Sequence, residues 1–360
     1  MDTRGFRSGY LNMGSFPMKI FITNLHGYPK RSIEMVAQNM VANIASRYFD
    51  ATEFGVFAYN MNSDNEAMLC ARLDGILNAL TNDDVLILQS PTWNSTHFDM
   101  AIINRAKVVA PKSKLIVFVH DMPPYMWESE KYLIPNYVEI YNHADVLIVP
   151  TKAFLEKIRE VGVTVPKVII QHFWDYPTSI DESTVPTFQK VVNFAGKAEK
   201  FTFVKEWHYE QVKLAVTSQP NAWAQGKNIS CIGWYREDAL LVDALRKSGG
   251  LGLHWAEDPY WFEYMKINAS YKLSLYLAAG LPVIVPNSHP EKERIVSGHL
   301  GIAVSSLDEA VEYIDGMQEE EYNAMREAVA EFGKLLRDGW MTKRILSEAI
   351  CTLFDNSQVD

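Results

Sequence analysis

Two lysines follow a glycine at the end of a short apolar run, in Asn193-Phe194-Ala195-Gly196-Lys197-Ala198-Glu199-Lys200-Phe201. Glycine lets a backbone come close to an anion, and Lys197 or Lys200 would offset the charge of a diphosphate, most strongly where water is scarce. The same residues also suit a surface turn with solvated lysines. A further lysine lies in the run Asn268-Ala269-Ser270-Tyr271-Lys272, which opens a predicted helix ending at Gly280, before Pro282 and a buried strand. Lys272 falls in the first turn, where the helix dipole disfavours a cation. Either a bound anion or plain solvation accounts for it. The turn Asn24 to Ser32 follows a strand and opens a helix, so the backbone N–H groups around Gly27 and Ser32 could meet a phosphate or a sugar hydroxyl. With one glycine it is not a GxGxxG fingerprint, and read alone it is a plain βα turn before it is a phosphate loop.

Other polar groups gather at predicted strand ends: Gln89-Ser90-Pro91-Thr92-Trp93-Asn94 through Asp99, and His120-Asp121 before two prolines. Transfer of a group to a hydroxyl needs that hydroxyl aligned on the carbon it attacks and, often, a base to take its proton. Asp99, His120 and Asp121 are candidates for that base; each also has a structural reading, as a strand-end hydrogen-bonding histidine or as turn-forming aspartates. No Asp-x-Asp occurs in the chain. That removes the commonest sequence device for holding a metal on a nucleotide diphosphate and turns attention to lysines and helix termini.

The elements that must position these residues follow a βα rhythm. Strands are predicted at 19–23, 54–59, 84–89, 114–120, 146–149 and 168–171, with helices near 66–80, 98–109 and 152–161. The first helix carries Ile33, Val36, Met40, Val41 and Ile44 near a 3.6-residue period. Continuous Val, Ile, Leu and Phe in the strands is the pattern of a parallel sheet covered on both faces. Asp, Pro, Ser and Thr between Trp174 and Pro186 mark a hinge. A second βα series follows, with strands at 191–194, 228–233, 250–255, 282–286 and 301–304, and helices at 238–247, 271–279, 308–317 and 319–336. The last segment, 341–354, has apolar residues at helical spacing that need a partner surface. The expected division is 1–17, a tag or disordered extension; 18–172, an N-terminal Rossmann-like domain; 173–188, a linker; 189–337, a C-terminal Rossmann-like domain; and 338–360, a C-terminal helix packing back on the first domain. Ligands of open α/β sheets sit at the carboxyl ends of the strands, so the site is expected between the domains.

At 360 residues with 48% hydrophobic and 22% charged side chains, the chain is long enough for two ordinary cores. Its net charge of -10 argues against a nucleic-acid backbone as partner. The three cysteines, Cys70, Cys231 and Cys351, are far apart and without metal-ligand spacing, which fits a reducing cytoplasm. No apolar run approaches the roughly 20 residues of a membrane span. Residues 1–17 lack the apolar stretch of a signal peptide.

In this order of blocks the chain resembles the glucosyltransferase 3 family, the nucleotide-sugar-synthetase-like enzymes of serine-rich-repeat adhesin glycosylation in streptococci and lactobacilli. The resemblance runs from Met18 onward. It is carried by Ile22-Thr23-Asn24, Arg72-Leu73-Asp74-Gly75-Ile76, Ser90-Pro91-Thr92-Trp93-Asn94 with Phe98-Asp99, His120-Asp121, and Trp174-Asp175 with Pro177-Thr178. It continues in Phe201 with Phe203-Val204-Lys205-Glu206-Trp207, Ser270-Tyr271-Lys272-Leu273 and Leu277-Ala278-Ala279-Gly280. What it implies is a GT-B fold with two Rossmann-like domains facing across a cleft, a UDP-sugar donor, no cofactor and no required metal, and a homo-oligomer (dimer or tetramer). The implied acceptor is an N-acetylglucosamine on Ser or Thr of an adhesin, to which glucose or another N-acetylglucosamine is added, with Thr92, Trp93 and Asn94 on the acceptor side. By position, Lys200 falls where relatives carry a basic residue for the diphosphate, in one case arginine; lysine keeps the charge but loses bidentate contact. Tyr271 with Lys272 matches the nucleotide-binding helix start, and Gly196, Lys197 and Asn268 are expected beside it, which makes 18–172 the acceptor domain and 189–337 the nucleotide-sugar domain. Many GT-B enzymes have a ribose-binding glutamate where this chain has Leu275, and Glu293 is the expected substitute. Two other readings compete: a galactofuranosyl- or hexosyltransferase of cell-surface polysaccharide, and a glycoprotein-binding partner without turnover.

Overall fold

The computed structural model describes residues 18–29, 32–60, 63–220 and 222–355. The segment 1–17 expected as an extension lies outside the described residues, as do 356–360 of the C-terminal stretch. Two parallel sheets, each six-stranded, organise the chain. The first is built from β1 (Ile20–His26), β2 (Thr52–Phe57), β3 (Val85–Ser90), β4 (Lys114–Val119), β5 (Val146–Val149) and β6 (Val168–Ile170), in the order β2-β1-β3-β4-β5-β6. The second holds β7 (Val191–Phe194), β8 (Lys213–Val216), β9 (Ile229–Cys231), β10 (Leu251–Leu253), β11 (Val283–Pro286) and β12 (Gly301–Val304), in the order β12-β11-β10-β7-β8-β9.

Both faces of each sheet are covered, which is why strands such as β5 and β11 are apolar at every position and buried throughout. On one face of the first sheet Leu69, Leu73, Phe98, Ile102 and Phe154 pack from helices. On the other, Val41 and Ile44 of the helix Ile33–Phe49 share a core with Ile345, Leu346, Ala349 and Leu353. These last residues belong to the helix Trp340–Phe354, so the end of the chain crosses back and closes the first lobe. Its start is fixed by the buried Asp175, whose Oδ1 and Oδ2 accept the N–H groups of Met341 (3.0 Å) and Thr342 (2.6 Å). Asp175 sits in the segment between the lobes, so the cap joins that segment and the last helix.

In each sheet the connections reverse direction once: between β1 and β3 in the first, and between β7 and β10 in the second. Such switch points leave a crevice at the carboxyl ends of the strands. They put the turns after β1 and β3, and the residues after β7 and β10, where a ligand would bind. Among the described residues no helix is long and apolar enough to cross a membrane.

Candidate functional site

A cavity of about 840 Å³ lies between the lobes, lined by residues of both. The second lobe supplies Gly196, Lys197 and Lys200 after β7, His254 after β10, and Asn268, Ser270 and Lys272. The first supplies Ile33 and Glu34 from the helix after β1, with Asp121 after β4 and Met126.

The cationic wall is a consequence of close packing. Gly252 has no side chain because a β-carbon there would fall 2.2 Å from the Tyr276 ring, which crosses the sheet at that point. Tyr276 is fully buried and its Oη accepts the N–H of Ala195 at 2.7 Å. The bond ties the loop after β7 to the helix Tyr271–Ala279 and brings Gly196 against Lys272. The Lys272 ammonium lies 5.1 Å from the centroid of the Phe194 ring and 5.0 Å from that of Phe201. Burial, with Lys200 as a like-charged neighbour, pulls its pKa down to about 8. A lysine whose charged neighbour is another cation is arranged for an anion from outside. Lys197 and Lys200 are exposed and border the same cavity. His254 stands beside them. Burial, helped by His289 and Lys272, pushes its imidazole well below the ordinary range, and its buried Nε2 has no hydrogen-bond partner among the described residues.

On the facing wall Asp121 accepts a hydrogen bond from Tyr264 Oη at 2.6 Å and is also held by the Asn268 side chain. Burial, reinforced by Glu34 and opposed by these two donors, raises its pKa to about 7. A carboxylate poised there is suited to exchanging a proton near neutral pH.

Of the expected base candidates, only Asp121 lines the cavity. Asp99 is fully buried in the first turn of the helix Thr96–Val109, where it accepts from the backbone N–H of Thr92 (3.3 Å), the Thr92 hydroxyl and Ser90 Oγ (3.4 Å). It shapes the loop after β3 and is spent in doing so. His120 is packed between Phe118 and Trp174, ring centroids 4.8 and 4.9 Å away, with Nε2 2.8 Å from Gln89 Oε1. The Gln89 amide nitrogen donates to Thr23 and Gln38 carbonyls, so its oxygen accepts and the His120 Nε2 carries the proton. Burial lowers the His120 pKa to about 3.

The expected acceptor residues divide similarly. Thr92 is buried against Asp99, and Asn94 accepts from the N–H of Tyr59 at 3.1 Å. Trp93, at φ 62°, faces an aromatic edge made with Tyr28 and the exposed Trp127, at centroid distances of 6.5 and 6.3 Å. On the nucleotide side Gly27 and Ser32 do not line the cavity; Ser32 caps the helix Ile33–Phe49 by accepting the Met35 N–H at 3.3 Å. Tyr271 packs on Tyr176 (5.1 Å) and Trp174 (6.4 Å). Glu293 is exposed and lies outside the cavity, whereas Glu291, two residues earlier, is buried and bonded to His172 Nδ1 at 3.0 Å. Glu34, His254, Trp261 and Tyr264 line the cavity without having been singled out from sequence. For Tyr264 a usable signal was present: Asp258-Pro259 is a cap followed by proline at the first helical position, and it opens the helix Pro259–Met265.

Two Rossmann-like lobes with a cationic pocket on one wall and a carboxylate on the other define a GT-B glycosyltransferase. Family models for the N-terminal and C-terminal domains of glucosyltransferase 3-like proteins match residues 19–173 and 192–349. The chain belongs to the glucosyltransferase 3 family. It is 38% identical to glucosyltransferase 3 of Streptococcus gordonii over 339 residues, 92% of this chain and 98% of that protein. With glucosyltransferase 3 of Streptococcus parasanguinis it shares 35% identity, over 92% and 98% of the two chains. Solved structures share the fold: HepE of Anabaena in complex with UDP (TM-score 0.64, 14% identity, 93% of this chain and 100% of that one) and sucrose-phosphate synthase of Thermosynechococcus elongatus (TM-score 0.63, 9% identity, 94% and 99%).

Proposed function

We propose that the chain transfers a hexose, glucose from UDP-glucose as first choice, to an N-acetylglucosamine carried on Ser or Thr of a serine-rich-repeat adhesin. The observation that carries this reading is the opposition of Lys272 and the exposed Lys197 and Lys200 to Asp121 across one cavity. Lys272 and Lys200 neutralise the donor pyrophosphate, the backbone at Gly196 lets it approach, and His254 offers a neutral imidazole to the donor. Asp121 removes the proton of the acceptor hydroxyl as that oxygen closes on the anomeric carbon, and the cations hold the charge left on the departing UDP. The acceptor enters over the aromatic edge of Trp93 and Trp127, whose faces suit a pyranose ring. The name of the streptococcal relatives and the UDP-glucose bound by HepE support the choice of donor. The working form is a cytoplasmic homo-oligomer.

The test is a donor panel. The enzyme is incubated with UDP-glucose, UDP-N-acetylglucosamine or UDP-galactose and an N-acetylglucosaminylated Ser-rich peptide, and the product is weighed. A gain of one glucose is expected; no mass gain with any donor, despite peptide binding, would leave a glycoprotein-binding role.

A further inference from the structure

The carboxylate in the cleft is held by the other lobe. Asp121 follows β4 of the first sheet, yet its hydrogen-bond donors, Tyr264 Oη at 2.6 Å and the Asn268 side chain, belong to the second. They lie on one stretch, 259–269, which is fastened to the first lobe at three more points. Tyr260 Oη donates to the Pro124 carbonyl at 2.9 Å, Thr151 Oγ1 to that of Ile267, and Trp174 Nε1 to that of Ala269 at 2.9 Å. Ile267 and Ala269 also pack into the apolar clusters of the first lobe. Three residues after Ala269 comes Lys272. One strap therefore clamps the lobes together, holds the carboxylate and leads into the cation.

From this geometry we infer that Tyr264 is a positioning residue: its hydroxyl, reaching across the cleft, sets the orientation and proton affinity of Asp121, so the base is organised only when the strap is docked. The inference rests on the reading of Asp121 as the base. The groups facing Asp121 are Glu34 of the helix Ile33–Phe49, Tyr137 and Tyr141 of the helix Ile134–Asn142, and Tyr264 and Asn268 of the strap. None of them is a cation. The ionised carboxylate thus depends on its two neutral donors against burial and the charge of Glu34. Removing the phenol hydroxyl while keeping the ring takes away one of the two, and the proton is then held to higher pH.

The experiment is the pH dependence of kcat and kcat/KM for sugar transfer by Tyr264→Phe, with UDP affinity as a check on the intact donor site. The acid limb is expected to move upward by roughly half to one pH unit. At a pH on that limb kcat is expected to fall about three- to tenfold, with UDP binding unchanged. An acid limb that stays in place, with kcat near that of the parent, would overturn the inference and leave Tyr264 as packing. Should Tyr264→Phe fail to fold, Asn268→Ala removes the other donor, and only its acid limb is read: an upward shift supports the strap as the device that sets the base, and a limb that stays in place overturns the inference. Asp121→Asn separates the two levels. If Asp121→Asn is inactive while Tyr264→Phe keeps the parent profile, only the positioning role falls; if Asp121→Asn turns over normally, the base assignment falls and takes this inference with it.

Discussion

The ammonium of Lys272 lies 3.2 Å from where a β-carbon would stand on Gly196, whose φ is +149°. The glycine is therefore required twice, for its backbone conformation and for the room it leaves beside the cation. Gly196→Ala should lower the thermal midpoint by a few degrees, from strain of about 1 kcal/mol or more. It should also weaken UDP binding about tenfold or more by displacing Lys272. Calorimetric titration with UDP measures the second effect, and parent-like affinity would remove Gly196 from the donor site.

The three cationic positions differ in burial, and their effects should differ with it. Lys272 is held against two phenylalanine rings with a pKa drawn down to about 8, whereas Lys200 and Lys197 reach into solvent. Truncation of Lys272 to Met should cost about 10- to 100-fold in UDP affinity, because a charge-assisted bond in a shielded site is lost. Lys200→Ala should cost less, and Lys197→Ala about twofold at most, since exposed charges are screened. A ranking with Lys197 first would reverse the assignment.

Activity should follow a bell-shaped pH profile. Asp121 must be ionised to accept a proton, so kcat/KM rises as pH passes through about 7. Lys272 must be protonated to hold the diphosphate, so kcat/KM falls as pH passes through about 8 in the free enzyme. Lys272→Met should retain the acid limb and lose the basic one. A profile flat across this window would contradict both roles.

Asp175 links the interlobe segment to the final helix through two backbone N–H groups. Asp175→Ala leaves both donors buried or half-buried without their acceptor and should destabilise the fold by about 1–3 kcal/mol. Faster hydrogen exchange along the helix Trp340–Phe354 would accompany the loss. Unchanged exchange there would mean that the apolar contacts of Ile345, Leu346, Ala349 and Leu353 hold the helix without its cap.

Much of the scaffold can be read from the chain because most of its strands carry short runs of Val, Ile, Leu and Phe. Val146–Val149, Val191–Phe194 and Gly301–Val304 occur with the expected bounds, as does the helix Tyr271–Ala279. β8 is less visible: Lys213–Val216 is a four-residue strand with a lysine at its head. The helices Ile134–Asn142 and Pro259–Met265 were not anticipated either, because bulky aromatic residues blur their periodicity. Within the site, residue type pointed to chemistry but could not give direction. Asp99 and His120 occupy the expected strand and helix ends yet face inward, toward the loop after β3 and toward Trp174. A carboxylate after β11 was expected at Glu293, and the helix Lys292–Ser297 turns it outward while burying Glu291. Tyr264 acts across the lobes, a relationship set by how they dock.

The most direct measurement is a single-turnover assay of Asp121→Asn with saturating UDP-sugar and acceptor, run beside a UDP titration of the same protein. Loss of about 10²- to 10⁴-fold in the transfer rate, with UDP affinity within about twofold of the parent, is the expected result. Transfer at the parent rate would contradict the assignment of a cationic donor wall facing an aspartate base.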